Sequence, residues 1–409
     1  MKTHALVVSN PGDPFTYRSI EVNDTLLPTE VLVEIKATGV CHTDINFADH
    51  DIPGLFPAVL GHEGAGIISR VGTEVQSVKA GDQVLLSYTS CGSCKYCERK
   101  ETSFCDDWER DNFGVGRANG SKAYGFAAGE GEGEGKGEIT SHFFGQSFLL
   151  LGVRDVDGWE GKRRKVDMEL GVRSFSKYAV VDSRCCVKVG EAGDQSIDLE
   201  MLAPLGCGIM TGAGAMLHVL TPSSHDTICI VGAGAVGLAA LMSLNFQKQK
   251  PKQIIVVDLV DERLKMAIKY GATHTINSKN EKDLKATLKG LTKGKGIDGA
   301  IDTTGRPDVV GDLLEATAKR GTVCSVGVGA LDAEVKTNIF NTVNSGRVYT
   351  GCCMGNCYPP EFLPKLIQGW KDGKFPFTDL IKRYDAKEAE MAKKDVLSGK
   401  VVKAVLVWE

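Results

Sequence analysis

The chain has 409 residues and a formal net charge of −4, and 42% of its residues are hydrophobic. This length predicts two domains, and the slightly negative charge gives no reason to expect a nucleic acid or an acidic membrane surface as partner. No apolar run reaches the roughly 18–20 residues of a membrane span, and residues 1–8 predict a strand rather than a signal peptide. We therefore expect a cytosolic protein.

Residues 1–115 predict a β-rich region. Residues 31–36 and 65–71 are rich in β-branched side chains, residues 80–86 resemble a turn that leads into a strand, and Gly and Pro interrupt the pattern often. Residues 129–138 alternate glycine with charged residues. This pattern predicts a flexible surface loop that contributes no side chains to a hydrophobic core.

Four of the thirteen cysteines lie close together, at Cys91, Cys94, Cys97 and Cys105. In a large chain without a signal peptide, clustered cysteines are more often metal ligands or catalytic groups than disulfides. Four thiolates at this spacing can close a tetrahedral zinc site that has no open position. This predicts a structural zinc lobe over residues 91–105, and the alternative is a set of unrelated free thiols.

Residues 226–328 alternate strand-like apolar runs with helical stretches, a pattern that predicts a parallel, doubly wound α/β sheet. The predicted strands are 227–231, 254–258, 299–303 and 322–326, and the predicted helices are 238–245 and 263–270. The C-terminal segment returns to a mixed pattern and ends on a predicted strand at 404–408.

A glycine-rich turn, Gly-Ala-Gly-Ala-Val-Gly over 232–237, follows the first of these strands. Gly232, Gly234 and Gly237 let the backbone approach a pyrophosphate at a helix N-terminus. Asp258 ends the next predicted strand, where its carboxylate would accept hydrogen bonds from ribose hydroxyls and repel a 2′-phosphate. This predicts NAD rather than NADP, although Arg263 could soften the repulsion. The alternative is a tight packing turn.

Three further segments carry possible metal ligands, but none is specific by itself. They read Cys-His-Thr-Asp at 41–44, Gly-His-Glu at 61–63 and Gly-Cys-Gly-Ile-Met-Thr-Gly at 206–212. A lone cysteine is usually a small buried apolar residue, and a lone histidine is more often structural than a ligand. Spacing alone cannot bring Cys41, His62 and Cys207 together.

These segments together resemble the zinc-containing alcohol dehydrogenases of the medium-chain dehydrogenase/reductase family, and within it the aryl- or benzyl-alcohol branch. The resemblance runs nearly end to end and includes residues 39–44, 57–66, the four-cysteine lobe, 206–214, 232–237 and 271–277. It implies a GroES-like β-rich catalytic domain over residues 1–208 and 351–409. It also implies a Rossmann domain, a doubly wound parallel sheet, over 209–350, with the active site in the cleft between them. Members of the family are homodimers or homotetramers.

The resemblance implies a catalytic zinc ion held by Cys41, His62 and Cys207, with the fourth position open to water or substrate. With the four-cysteine lobe this makes two zinc ions per subunit. Asp44 would orient His62, and Glu63 would lie close behind the metal.

The remaining implied roles concern substrate and cofactor. Thr43 would bond the alcohol and begin a proton relay. The implied cofactor contacts are His42 at the pyrophosphate, Thr211 and Val236 near the nicotinamide, and Val326 and Gly327 at the nicotinamide ribose and carboxamide.

The resemblance thus implies hydride transfer between a primary, aryl-type alcohol and NAD, which gives the aldehyde, and the reverse reaction. Zinc lowers the pKa of the bound alcohol, and the protein positions the donor carbon against the acceptor ring. One alternative is a zinc-dependent reductase of aldehydes or activated alkenes. Another, of a different class, is a catalytically inactive chain with a binding role. A glutathione-adduct dehydrogenase is a weaker option.

The chain departs from the family pattern at two places. Asn46 stands where many members have the histidine that ends the proton relay, so we expect the relay to end in water. Residues 148–173 add 26 residues to the family pattern, as a surface loop peculiar to this chain or as sequence translated from a retained intron.

Overall fold

The computed structural model describes residues 1–51, 55–113, 117, 119, 121–126, 138–141, 173–330 and 332–409. The predicted loop at 129–138 and the extra segment at 148–173 lie outside these residues, except for Glu138 and Arg173. The chain divides into two compact units. The first is Met1–Cys207 with Tyr358–Leu363 and Ile381–Glu409, and the second is Gly208–Cys357 with Pro364–Leu380. The domain bounds inferred from sequence stay a prediction.

The described part of the first unit contains a closed barrel, in the order β1-β2-β7-β8-β4, and a seven-stranded sheet, in the order β10-β6-β5-β3-β18-β17 with β9 also on β3. Its strands are β1 (Lys2–Val8), β2 (Thr16–Val22), β3 (Glu30–Gly39), β4 (Ala58–Val59), β5 (Gly64–Val71), β6 (Gln83–Leu86), β7 (Tyr124–Phe126), β8 (Glu138–Ser141), β9 (Tyr178–Asp182), β10 (Cys186–Gly190), β17 (Ile381–Asp385) and β18 (Lys403–Val407). Its helices are α1 (His42–Asp49), α2 (Lys95–Glu98), α3 (Trp108–Phe113), α4 (Leu199–Leu202) and α12 (Ala389–Leu397).

Strand β3 is the centre of this sheet because its β-branched sequence is buried along most of its length. It pairs antiparallel with β5, β9 and β18, so the C-terminal strand β18 belongs to the same sheet as the N-terminal strands. Thr38 faces Gly64, and Gly39 faces Val405. The end of β3 therefore meets the beginnings of β5 and β18 at one edge, and this arrangement positions the site described below.

The described residues of the second unit form a six-stranded parallel sheet in the order β13-β12-β11-β14-β15-β16, which confirms the predicted doubly wound α/β sheet. Its strands are β11 (Thr227–Val231), β12 (Gln253–Asp258), β13 (His274–Asn277), β14 (Ile297–Asp302), β15 (Thr317–Ser325) and β16 (Val348–Gly351). Its helices are α5 (Gly208–Gly214), α6 (Ala235–Ser243), α7 (Asp261–Lys269), α8 (Leu284–Leu291), α9 (Pro307–Ala316) and α10 (Ile339–Ser345), and α11 (Pro359–Lys371) begins in the first unit.

Buried apolar side chains hold this sheet between its helices. Val231 and Val257 of the central strands pack in one core with Leu288 of α8 and Leu313 of α9. Small residues bring α5 close to α6, since a Cβ on Gly212 would lie 1.9 Å from the carbonyl oxygen of Val236.

Among the described residues no single helix is long and apolar enough to cross a membrane. One bent pair, Leu199–Gly206 with Gly208–Leu220, reaches that length and composition when the two parts are counted together.

Candidate functional site

Cys41, His62 and Cys207 come together in the first unit, although they lie far apart in the sequence. Their ligand atoms and a carboxylate oxygen of Glu63 all lie within 4.8 Å of one another. Cys41 precedes α1, and His62 and Glu63 precede β5, so the strand pairing described above places them side by side. Two thiols and one imidazole are a donor set that could hold a zinc ion, and catalytic zinc sites of the Cys₂His type use the same set.

Asp44 positions two of these groups at once. Its carboxylate accepts hydrogen bonds from the backbone N–H of Cys41 at 3.1 Å, from the backbone N–H of Gly61 at 3.1 Å, and from Nδ1 of His62 at 2.9 Å. The last bond fixes the imidazole so that Nε2 is the ring nitrogen available to a metal. Asp44 therefore orients the histidine and holds the backbone of the cysteine in register with it.

The segments that carry Cys207 and His62 depend on glycines. Gly206 passes so close to β6 that a Cβ would lie 2.0 Å from the carbonyl oxygen of Leu86, and its own carbonyl accepts a hydrogen bond from Ser87 Oγ at 2.8 Å. Gly61 has a φ of +95°, and a Cβ there would meet the backbone nitrogen of Phe175 at 2.6 Å. A larger residue at either glycine would displace the ligand that follows it.

The clustered side chains shift one another's pKa values, and the thiolate is favoured at Cys41. A hydrogen bond from the Cys207 thiol and the nearby charge of His62 hold the pKa of Cys41 well below its ordinary value, against the effect of burial. The same hydrogen bond, together with burial, raises the pKa of Cys207. Burial lowers the pKa of His62, but the charges of Asp44 and Cys41 outweigh it and the net shift is upward. A thiolate beside two further ligands is the form in which cysteine binds zinc.

Lys403 is a site residue that sequence reasoning missed. Its Nζ lies 2.5 Å from Oε2 of Glu63 and donates to the carbonyl oxygen of Val40 at 3.1 Å, and both charged side chains are almost fully buried. Gly39 makes room for the carboxylate, because a Cβ there would lie 1.9 Å from Oε2 of Glu63. The only signal in the sequence was a lysine at the start of the apolar strand 403–407.

The four cysteines of the predicted lobe also come together. Their sulfur atoms all lie within 4.8 Å of one another, with 3.5 Å between Cys94 and Cys97 and 3.9 Å between Cys91 and Cys97. Tetrahedral zinc with Zn–S bonds of about 2.3 Å requires sulfur separations of about 3.8 Å, so the lobe fits a closed zinc site.

Backbone N–H groups of the lobe stabilise negative charge on its sulfurs. The Cys105 sulfur accepts from the backbone N–H of Cys91 at 3.2 Å and of Asp107 at 3.4 Å. Backbone hydrogen bonds from Asp106 and Cys97 lower the pKa of Cys94 to about 6. The loop thus already carries the hydrogen bonds that a set of metal-bound thiolates needs.

The glycine-rich turn of the second unit joins β11 to α6 as predicted. Gly232 has a φ of +94°, and a Cβ on Gly237 would lie 1.8 Å from the carbonyl oxygen of Gly232. Gly234 differs, since in the part of the chain that the structure describes no atom beyond its two chain neighbours lies within 4 Å of the position of its Cβ. Gly232 and Gly237 are therefore required by packing, whereas the open space at Gly234 fits the close approach of a ligand to the helix N-terminus.

Asp258 lies at the end of β12 and is 8% exposed. One carboxylate oxygen accepts from the backbone N–H of Ala233 at 2.6 Å, and the other accepts from that of Val260 at 2.8 Å. Asp258 thus fixes the glycine-rich turn by hydrogen bonding. Each of its carboxylate oxygens keeps one lone pair that can accept from a further hydrogen-bond donor. Arg263 lies in the first turn of α7 and is partly buried.

The other predicted site residues fall into two groups. Thr43, His42 and Asn46 lie on α1 in the first unit, with Thr43 half-buried and the other two exposed. Thr211, Val236, Val326 and Gly327 lie in the second unit. The loop after β15 is anchored because the carbonyl oxygen of Asp302 accepts from the backbone N–H groups of Val326 and Gly327, at 2.8 and 3.1 Å. Their roles stay predictions.

Two protein families match the sequence. Residues 27–130 match the alcohol dehydrogenase GroES-like domain, and residues 235–369 match the zinc-binding dehydrogenase family. The first match contains the four-cysteine lobe, Cys41 and His62, and the second contains Asp258.

Individual proteins resemble the chain over nearly its whole length. A geraniol dehydrogenase of Castellaniella defragrans is 33% identical over 100% of this chain and 98% of its own length. An S-(hydroxymethyl)glutathione dehydrogenase of Komagataella pastoris is 31% identical over 99% of this chain and 97% of its own. The crystal structure of benzyl alcohol dehydrogenase from Acinetobacter calcoaceticus is 31% identical, covers 100% of both chains and superposes with a TM-score of 0.85.

The fold and the comparisons thus indicate the same family. The chain has a GroES-like β-rich part and a parallel sheet, and it is similar over its full length to named alcohol dehydrogenases. The chain belongs to the zinc-dependent medium-chain alcohol dehydrogenase family and is an alcohol oxidoreductase.

Proposed function

We propose that this protein oxidises a primary alcohol of the aryl or benzyl type to its aldehyde with NAD, and that it catalyses the reverse reaction. The observation that carries the proposal is the Cys₂His cluster, in which Cys41 is half-buried, His62 and Cys207 are buried, and the histidine is oriented by Asp44. The similarity to a benzyl alcohol dehydrogenase over the full chain supports the aryl class of substrate.

In this proposal Cys41, His62 and Cys207 hold the catalytic zinc ion, and Cys91, Cys94, Cys97 and Cys105 hold a structural one. Zinc at the first site supplies a Lewis acid that lowers the pKa of a bound hydroxyl, and NAD supplies the hydride acceptor. Asp44 would orient the His62 ring so that its Nε2 is available to the ion, and the Lys403 ammonium neutralises the neighbouring Glu63 carboxylate. The donor set is thereby held rigid without adding an uncompensated charge.

Thr43 takes the proton of the alcohol through its hydroxyl and passes it onward. Asn46, one turn along α1, is an amide that holds no titratable proton near neutral pH, and its side chain is exposed. The proton therefore leaves to water in this proposal rather than to a histidine. His50 lies at the end of α1 with its Nδ1 2.7 Å from the carbonyl oxygen of Asn46 and plays no part.

The cofactor is assigned to the second unit, and the contact of His42 with the pyrophosphate stays a prediction from the family resemblance. The pyrophosphate binds at the open space beside Gly234, and Asp258 accepts hydrogen bonds from the adenosine ribose. Thr211, Val236, Val326 and Gly327 are assigned to the nicotinamide end. Because the Asp258 carboxylate repels a 2′-phosphate, NAD is preferred over NADP, with Arg263 limiting the size of that preference.

A second candidate substrate is S-(hydroxymethyl)glutathione, since dehydrogenases of that name match at 31–32% identity over at least 93% of the chain. Its glutathione moiety carries two carboxylates, whereas an aryl alcohol carries none. The two candidates therefore differ in charge, and a direct comparison of kcat/KM decides between them.

The test is a paired measurement on the purified protein. Elemental analysis gives zinc per chain, and absorbance of NADH gives the rate with benzyl alcohol, geraniol, ethanol and S-(hydroxymethyl)glutathione. We expect two zinc ions per chain and the highest kcat/KM with benzyl alcohol. A Cys41→Ser variant should lose one zinc ion and all turnover. A Cys229→Ser control, in the core of the second unit, should keep two zinc ions per chain and should keep its turnover.

A higher kcat/KM with S-(hydroxymethyl)glutathione would replace the aryl substrate. NADH consumption with an aldehyde or activated alkene, without alcohol oxidation, would favour a reductase. Two zinc ions without turnover on any substrate would favour a catalytically inactive chain. The cytosolic location and the dimeric or tetrameric state stay predictions.

A further inference from the structure

A buried carboxylate, that of Asp302, lies at the end of strand β14 in the six-stranded sheet, and its residue is 0% exposed. One of its oxygens accepts from the backbone N–H of Thr304 at 2.9 Å and from Oγ1 of the same residue at 2.6 Å. The other oxygen accepts from the backbone N–H of Gly305 at 3.1 Å. One side chain therefore holds the loop 303–305 at several points, and most of its capacity to accept hydrogen bonds is used for this purpose.

The backbone of Asp302 holds a second loop, which follows β15. Its carbonyl oxygen accepts from the backbone N–H groups of Val326 and Gly327, at 2.8 and 3.1 Å. The same residue thus binds the loop 303–305 through its side chain and the loop 326–329 through its main chain. Both loops leave the sheet at the carboxyl ends of neighbouring parallel strands, which is where an open α/β sheet binds its ligands.

The two loops also lie backbone against backbone. A Cβ on Gly327 would lie 2.4 Å from the backbone nitrogen of Gly305. A Cβ on Gly305 would lie 2.5 Å from the backbone nitrogen of Gly329, and one on Gly329 would lie 2.4 Å from the carbonyl oxygen of Gly305. Because packed backbones of this kind leave no free space between them, a shift of the first loop must displace the second.

We propose that Asp302 is a positioning residue for the cofactor, whose carboxylate fixes the loop 303–305 and thereby holds the loop 326–329 against the nicotinamide. The inference rests on the proposed function, in which Val326 and Gly327 are assigned to the nicotinamide end. Since Asp302 is fully buried, it acts through the two loops and does not itself touch the cofactor.

The test compares the binding of NADH with that of ADP-ribose, which lacks the nicotinamide, to the full-length protein. NADH is titrated by its fluorescence, and ADP-ribose is titrated by its displacement of NADH. Asp302→Asn keeps the size of the side chain but places an amide N–H group against the backbone N–H of Thr304 or of Gly305. We expect this variant to bind NADH about tenfold more weakly than the wild type, and to bind ADP-ribose within about twofold of it.

The matched control is Asp298→Asn, which changes the same type of residue on the same strand. The Asp298 carboxylate accepts from the backbone N–H of Thr227 at 2.8 Å, outside both loops. This variant should bind NADH and ADP-ribose as the wild type does. Equal weakening of NADH binding in the control and in Asp302→Asn would overturn the proposal, because the loss would then follow from any lost carboxylate on β14.

The remaining outcomes separate this inference from the proposed function. If the wild type does not bind NADH, the proposed cofactor is wrong and the role of Asp302 is wrong with it. If the wild type binds NADH and a folded Asp302→Asn variant binds it equally well, or binds both ligands equally more weakly, the role of Asp302 alone is wrong. If that variant does not fold, Thr304→Val removes one hydrogen bond to the same carboxylate, and unchanged NADH binding in it overturns the proposal.

Discussion

Replacing Lys403 with methionine removes the cation of a buried ion pair, so the Glu63 carboxylate loses the ammonium that lies against it. Lys403 and Glu63 are 4% and 0% exposed in their side chains, and methionine fills most of the volume of the lysine. Breaking a buried pair in this way costs about 3–5 kcal/mol, because one charge then remains in a medium that solvates it poorly. We expect Lys403→Met to lower the free energy of unfolding by this amount near neutral pH.

The pH dependence separates this mechanism from a simple loss of packing. Burial raises the pKa of Glu63, and Lys403 opposes that rise, so the variant should carry a still higher Glu63 pKa. A carboxyl group whose folded pKa lies above its unfolded pKa of about 4.3 favours the folded state below that value. That contribution is lost as pH rises through the folded pKa. The variant should therefore recover part of its stability as pH falls from 7 toward 5.

The assay is urea unfolding followed by tryptophan fluorescence, for the wild type, Lys403→Met, Glu63→Gln and the double variant. The double variant should be more stable than Lys403→Met alone, since the uncompensated charge is gone, and the coupling between the two changes should exceed 1 kcal/mol. Additive effects, or a Lys403→Met variant with the stability of the wild type, would refute the reasoning.

The other predictions concern the metal centres and the cofactor. Cys94→Ser should lose about one zinc ion per chain by elemental analysis, and an unchanged zinc content would contradict the closed lobe. Asp44→Asn should weaken zinc binding about 10–100-fold in a competition with a chelator, because the amide carries no negative charge and only one of its two polar atoms can accept the hydrogen bonds that both carboxylate oxygens accept from Cys41, Gly61 and His62. An equal affinity would contradict the orienting role of Asp44. Gly234→Ala should weaken NADH binding in a fluorescence titration while keeping the melting temperature, whereas Gly237→Ala should lower the melting temperature through its clash with the turn. If the two alanine variants lowered the melting temperature equally, the assignment of Gly234 to ligand binding and of Gly237 to packing would be wrong.

Apolar periodicity predicted four of the six strands of the parallel sheet, because the pattern that marks a buried strand lies within the strand itself. The apolar runs at 227–231 and 254–258 became neighbouring parallel strands within one residue of the predicted bounds. The clustering of the four cysteines could also be predicted from the sequence, because all four belong to one loop and their spacing alone limits the distances between their sulfur atoms.

The Cys₂His cluster could not be derived from spacing. Cys41, His62 and Cys207 meet because β3, β5 and β6 pair in a particular register, and that register is a property of the whole sheet. The resemblance to a family supplied this grouping where the residue pattern did not. Lys403 escaped notice because a single lysine in a strand normally faces solvent, and its burial follows from the approach of Glu63 across Gly39.

The sheet of the first unit joins residues from both ends of the sequence, and this sets an order for folding during synthesis. The strands of the second unit lie between residues 227 and 351, so that sheet can form once this stretch has left the ribosome. The first sheet stays incomplete until β18, at 403–407, arrives to pair with β3. Until then the Lys403 ammonium is not in place beside the Glu63 carboxylate and near the Cys41 thiol. A chain that ends shortly before residue 403 would therefore have an ordered six-stranded sheet and an incomplete sheet around Cys41, His62 and Cys207.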